Sequence, residues 1–192
     1  SSDNQGGLII SRSYTGNNAQ FGSIWTSHSM QSSGGTFVAG IDSTGTFTWA
    51  NTLSDQCYTP SSLEVIGQDS IYWIGTGCVS YNGNLGTNGP LKIIELSFSG
   101  EEIRSQNMQI NGIGQYWFYP HHSMLNSNDS LIITGKMTIA EPEPRTTRLV
   151  LAEIDTQNFD ILSTTILFEG EGQQHAIPMS IDNDICALNY KQ

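Results

Sequence analysis

Apolar and polar residues alternate along this chain in short runs, and three of the runs are one element written three times. They are Phe37-Val38-Ala39-Gly40-Ile41-Asp42, Lys92-Ile93-Ile94-Glu95-Leu96-Ser97 and Val150-Leu151-Ala152-Glu153-Ile154-Asp155, which set Ile41, Leu96 and Ile154 at spacings of 55 and 58. A second element recurs beside the first: Asp69-Ser70-Ile71-Tyr72-Trp73-Ile74-Gly75 matches Asp129-Ser130-Leu131-Ile132-Ile133-Thr134-Gly135 at a spacing of 60, and Asp184-Ile185-Cys186-Ala187-Leu188 repeats it more weakly. Short apolar stretches precede each copy, at 62–66, 123–125 and 177–181. A turn and a further strand follow each central run, as in Ser43-Thr44-Gly45 before Phe47-Thr48-Trp49, and Ser99-Gly100 before Ile103.

These runs are strands. β-branched and aromatic residues alternate over five to eight positions between Gly, Asn, Asp and Ser, and no window sustains the i, i+3, i+4, i+7 spacing of an amphipathic helix. Four short strands repeated at a period of about 50 residues predict an all-β fold, a β-propeller-like array of four-stranded antiparallel blades. About three blade equivalents fit in one domain over 1–192, with approximate repeats at 8–60, 61–120 and 121–175 and a partial one at 176–192. A β-sandwich would also give short strands, but it has no reason to repeat a four-strand unit.

The string Gly35-Thr36-Phe37-Val38-Ala39-Gly40-Ile41-Asp42-Ser43-Thr44-Gly45-Thr46-Phe47-Thr48-Trp49-Ala50 resembles the β-propeller repeat of bacterial cell-surface proteins, whose units read FVAKLD-x-x-G-x-x-x-W. The stretch 127–135, an Asp-bearing turn leading to a strand that ends in Thr134-Gly135, is similar to that family's preceding signature. The resemblance covers most of the chain from Gly34 onward, although Arg104, and then Ile161 or Leu162, stand near where the later Trp residues would fall. It implies an extracellular scaffold or binding domain and brings no catalytic residues with it.

In that family's strand order the chain begins at the second strand of a unit, near 8–14, completes two whole units and stops two strands into the next. Four blades, the smallest common ring, need well over 192 residues at this period. The expectation is therefore part of a larger propeller: either the remainder of the same chain is missing, or strands are borrowed from another chain by self-assembly.

Charge narrows the partners. Seven Lys and Arg stand against 18 Asp and Glu, a net charge of −11 that repels phosphate backbones, so no nucleic-acid partner is expected. No stretch approaches the length of a transmembrane helix. Only 13% of residues are charged, which leaves the surface to Ser, Thr, Asn, Gln and Gly and suits an extracellular or cell-surface protein.

Individual residues add less. Cys57 and Cys78 are candidates for a disulfide around one loop end, while Cys186 falls at an interior strand position. Asn128-Asp129-Ser130 is a glycosylation sequon on a turn. His121 and His175 are 54 apart and hold equivalent positions, a metal-ligand candidate with His122 nearby, but the bland reading of turn-capping histidines is preferred and no metal is expected. Asp182-Asn183-Asp184 could offer oxygens to calcium, yet without EF-hand spacing it reads as a β-turn, and no cofactor is expected. The sialidase Asp-box fails at Ile41 to Trp49, where Ser43 replaces the Asp.

Loops carry the candidate binding face. Segments 78–90, 109–120 and 138–147 are expected to emerge together, presenting Tyr81 and the aromatics Tyr116, Trp117, Phe118 and Tyr119 to a protein or carbohydrate partner. Alternation points two of the four aromatics inward and two outward, and the preferred reading buries them between blades. With no paired carboxylates, G-x-S-x-G or P-loop, the expectation is a non-catalytic module rather than an enzyme. The alternative, a propeller polysaccharide hydrolase or lyase, needs acids at equivalent inner-strand positions, where only Glu64 and Asp182 offer themselves.

Overall fold

A computed structural model describes residues 7–14, 18–27, 35–53, 63–67, 69–76, 79–81, 84–86, 90–110, 116–139, 146–170, 174–181 and 184–191. Every element among them is a strand. In chain order, β1 (Leu8–Tyr14) is followed by the short pair β2 (Asn18–Phe21) and β3 (Ile24–Ser27), then β4 (Gly35–Ile41) and β5 (Phe47–Leu53). Next come β6 (Leu63–Ile66), β7 (Ile71–Thr76), the pair β8 (Val79–Tyr81) and β9 (Asn84–Gly86), β10 (Leu91–Leu96) and β11 (Glu102–Met108). The chain continues through β12 (Tyr116–Leu125), β13 (Leu131–Ile139), β14 (Thr146–Ile154) and β15 (Ile161–Gly170) to β16 (Gln174–Ile181) and β17 (Asp184–Lys191).

All pairings are antiparallel, and the larger sheets are meanders. Sheet 1 runs β1-β4-β5, sheet 2 β6-β7-β10-β11, sheet 3 β12-β13-β14-β15 and sheet 4 β16-β17. The hairpins β2-β3 and β8-β9 are insertions, between β1 and β4 in sheet 1 and between β7 and β10 in sheet 2. These hairpins were not expected. The first had a readable signal, since Gly22-Ser23 forms a two-residue loop between Phe21 and Ile24, with Gly22 at φ +59°.

Consecutive sheets share cores. One cluster joins Tyr72, Ile74, Leu91 and Ile93 of sheet 2 to Phe118, Leu131, Ile133, Val150 and Ile154 of sheet 3. Another joins the opposite face of sheet 2, through Ile71, Trp73, Ile94 and Leu96, to Ile9, Val38 and Leu53 of sheet 1. Sheet 2 is therefore covered on both faces, and all six residues of β7 are buried. That explains why Ile71-Tyr72-Trp73-Ile74 is an unbroken apolar run rather than an alternation. On the far side of sheet 3, β16 packs against β12, β13 and β14.

Turn chemistry repeats with the sheets. Between β4 and β5, Asp42 Oδ1 accepts bonds from the Thr44 and Thr46 amides and the Thr44 hydroxyl. At the matching turn of sheet 2, Ser97 Oγ accepts from the Glu101 amide, and in sheet 3 Asp155 Oδ1 accepts from the Gln157 amide. Short polar side chains at the first turn position close their own backbone, which is why Asp, Ser and Asn punctuate the repeats.

A β-bulge also recurs. The pairing shifts between Gly40 and Ile41, between Glu95 and Leu96, and between Glu153 and Ile154, leaving Thr48, Ile103 and Leu162 as the extra residues of β5, β11 and β15. All three are exposed. Bulges on outer strands bend the edge and discourage pairing with foreign strands.

Candidate functional site

Two junctions between sheets are built by the residue that follows the bulge. On β5, Trp49 lies over the β10-β11 turn, where a Cβ on Gly100 would come within 2.3 Å of its ring, and Asn51 Nδ2 donates to the Gly100 carbonyl at 2.5 Å. On β11 the equivalent residue is Arg104. Its guanidinium donates to the Thr156 and Gln157 carbonyls of the β14-β15 turn and sits 4.1 Å from the Phe159 ring centroid. Arg104 Nε also meets Glu95 Oε2 at 2.5 Å, across the strand pair. In β5 and β11 this one residue thus clamps the turn of the next sheet, by aromatic cover in one case and by a five-donor fork in the other.

The third equivalent is Ser163, opposite Glu153, and not Ile161 or Leu162 as the spacing suggested. The correction has a simple cause. The β14-β15 turn holds one residue more than its counterparts, closing through Asp155 N to Asp160 O with Phe159 at φ +60°. Ser163 Oγ donates to Glu153 Oε2 at 3.3 Å.

Beside the Arg104 clamp lies a cleft of about 210 Å3 between the turn ends of sheets 2 and 3. Its walls include Asp69 and Ser70 from the β6-β7 turn, Tyr72 and Glu95 from sheet 2, and Asp129 and Thr156 from two turns of sheet 3. Asp129 adopts φ +59° at the tip of a turn closed by Asn126, whose Oδ1 accepts from the Asn128 and Ser130 amides. Thr156 Oγ1 donates to the Asp129 carbonyl at 2.8 Å and ties the two turns together. Arg104 engages Glu95, while Asp69 and Asp129 are exposed. The cleft therefore offers acceptors to hydroxyl or cationic groups. Sequence reasoning did not single it out, although Asp69 and Asp129 mark one repeat position and so reach the same end of adjacent sheets.

The aromatic segment is placed otherwise than expected. Tyr116 to Tyr119 open the strand β12 and are not loop residues, because their alternation pairs Tyr116 with Ile139 and Phe118 with Met137. Phe118 is fully buried in the core between sheets 2 and 3, which removes it from the candidate binding surface. Tyr119 is half-buried, and desolvation holds its hydroxyl pKa above the ordinary value. Tyr116 and Trp117 lie on β12, but their side chains fall outside the described residues, as does that of Tyr81 on β8.

Of the histidines, His121 is the bulged residue of β12 between Pro120 and His122, and His175 pairs with Tyr190 at the start of β16. Among the described residues no group of three or more His, Cys, Asp or Glu side chains is placed to hold a metal ion. Cys57, Cys78 and the Asp182-Asn183 part of the calcium candidate lie outside the described residues, as do the side chains of Glu64, His175, Asp184 and Cys186. Asn128 is exposed on its turn. No helix among the described residues is long and apolar enough to cross a membrane.

Set beside known protein families, curated proteins and solved structures, the chain matches none of them.

Proposed function

We propose that this chain is a non-catalytic extracellular or cell-surface module of β-propeller type, acting as a structural scaffold for a surface assembly or filament, or holding a protein or carbohydrate partner. The observation that carries the reading is the regular stack. Sheets 1, 2 and 3 share cores in chain order, and each junction between them is held by the same outer-strand position resting on the next sheet's turn. Such an array gives a rigid frame on which loops at one end can vary. By register, the ends of β7, β11 and β13 and the starts of β10, β12 and β14 lie at one end of sheets 2 and 3, opposite the cleft.

The test is a paired assay on the purified chain. Incubation with a panel of acidic and neutral polysaccharides should release no new reducing or unsaturated ends, while a glycan array or surface-protein pull-down should return a saturable partner. Release of ends that Asp69→Asn or Asp129→Asn abolishes would instead favour a hydrolase or lyase working from the cleft.

A further inference from the structure

Each sheet in the stack has one face that receives the sheet before it, and pairing register makes that face comparable residue by residue. Leu8 pairs with Ile41 as Ile71 pairs with Leu96 and Leu131 with Ile154. In sheets 2 and 3 these positions are sealed: Ile71, Leu131 and Ile154 are 0% exposed and Leu96 is 1% exposed. In sheet 1 Leu8 is 44% exposed and Ile41 is only half-buried. The same face of sheet 1 continues through Ile10, Phe37, Ala39 and Ala50, and what covers them is the β2-β3 hairpin.

The hairpin is a poor substitute for a sheet. Phe21 is its one buried apolar side chain, at 8% exposed, Ala19 and Ile24 are partly buried, and Trp25 is 67% exposed. Two-stranded hairpins are marginally stable on their own, so such a cover is held by little. The turn next to this face differs in the same sense. Gly45 and Gly100 are equivalent, with φ of +85° and +83°, yet Trp49 covers Gly100 while nothing stands within 4 Å of a Cβ placed on Gly45. Sheet 1 therefore carries a receiving face and a turn that the other sheets fill with a preceding repeat.

We propose that the receiving face of sheet 1 is a repeat-docking surface held under the β2-β3 hairpin as a removable cap, and that a second copy of this chain occupies it when the cap lifts. The inference rests on the scaffold reading above and names how that scaffold extends. A second copy is the fitting occupant because the receiving faces of sheets 2 and 3 are each filled by a repeat of this same chain, so the new contact continues an interface the fold already makes. It joins unlike ends of two copies, and a head-to-tail contact of this kind propagates into an open filament.

Three proteins test it by light scattering and sedimentation velocity across a hundredfold range of concentration, with far-UV circular dichroism to verify folding. The wild type should remain near 21 kDa, and Phe21→Ala, which loosens the cap, should gain mass in steps of that size as concentration rises. Adding Leu8→Glu, a charge at the exposed edge of the face, should return Phe21→Ala to the monomer. A folded Phe21→Ala chain that stays monomeric overturns the proposal, as does association that Leu8→Glu leaves unchanged. Should Phe21→Ala lose its β-sheet signal, amide exchange on the wild type decides: residues 18–27 should exchange at least tenfold faster than β4, and equal protection overturns a removable cap. Failure here leaves the scaffold reading standing, because that reading is tested separately by the polysaccharide and partner-binding assays.

Discussion

The two clamped junctions solve one problem with different chemistry. Between sheets 1 and 2 an indole covers a glycine turn and a neighbouring Asn reaches its carbonyl, whereas between sheets 2 and 3 a guanidinium grips two carbonyls, a carboxylate and a ring. What the architecture specifies is therefore a position, the residue after the bulge, and not a side chain. Any long side chain able to desolvate or bond the next turn fills the role. Trp49 is one solution and Arg104 is another.

That comparison can be broken at its largest element first. Trp73 is fully buried between sheets 1 and 2, with its indole N–H donating to Ser11 Oγ at 3.0 Å. Trp73→Ala should cost about 3–5 kcal/mol in urea unfolding, as large aromatic truncations in a core do. Phe118→Ala, on the other side of sheet 2, should fall in the same range of about 3–5 kcal/mol if both junctions are true cores. A loss at one site only would show that one junction is not packed as described.

The clamps come next. Arg104→Ala removes two bonds to carbonyls, a ring contact and the partner of Glu95, and with a third of its side chain exposed the loss should be about 1–3 kcal/mol. Arg104→Lys should recover less than half of it, because an ammonium cannot bond Glu95 and two carbonyls in one plane. Chemical denaturation of both variants reads the difference. If Lys restores stability fully, the contact is mere charge and the parallel with Trp49 fails.

The glycine pair gives a sharper contrast of smaller size. Gly45→Ala meets open space and should cost about 1 kcal/mol for its left-handed backbone alone. Gly100→Ala bears the same strain and also drives a methyl into the Trp49 ring, adding about 1–3 kcal/mol of overpacking. Equal losses in thermal melts would mean that Trp49 does not rest on this turn.

The smallest effect is acid dependence. Hydrogen bonds from the Thr44 hydroxyl and the Thr46, Thr44 and Gly45 amides hold the Asp42 carboxyl below its ordinary pKa. Its contribution is therefore fully present above the unfolded value near pH 4 and is lost as pH falls through the lower folded value. Asp42→Asn should flatten that part of the stability profile below about pH 4 and change little at pH 7. A wild-type profile that the substitution leaves untouched would remove the turn from the account.

Much of this fold was legible from alternation and spacing. Strand runs and turn chemistry follow from β-branched runs punctuated by Asp, Asn, Ser and Gly, whereas the order of three, four, four and two strands is what the resemblance to the propeller repeat implies. The hairpin β2-β3 was overlooked because Asn18 to Ile24 is too polar to read as core, although Gly22-Ser23 marks the loop. Two glycines before Tyr116 to Tyr119 suggest a loop where the segment opens a strand, but alternation divides the four aromatics between inside and outside, and Phe118 in the core fits the buried reading that the sequence favours. The cleft was out of reach for a different reason: Asp69 and Glu95 come from one repeat and Asp129 and Thr156 from the next, and only the stacking of sheets brings their turns together.

Stacking is thus the central claim, and methyl-labelled NMR of the intact chain tests it most directly. In the stack, Ile74 and Ile93 should give cross-peaks to Leu131, Ile133 and Ile154, while Ile71 and Ile94 should give them to Ile9 and Val38. Neighbouring residues of one strand would then report opposite neighbours. Absence of cross-peaks between sheets, or both sets of sheet 2 methyls contacting the same partner sheet, would contradict the account.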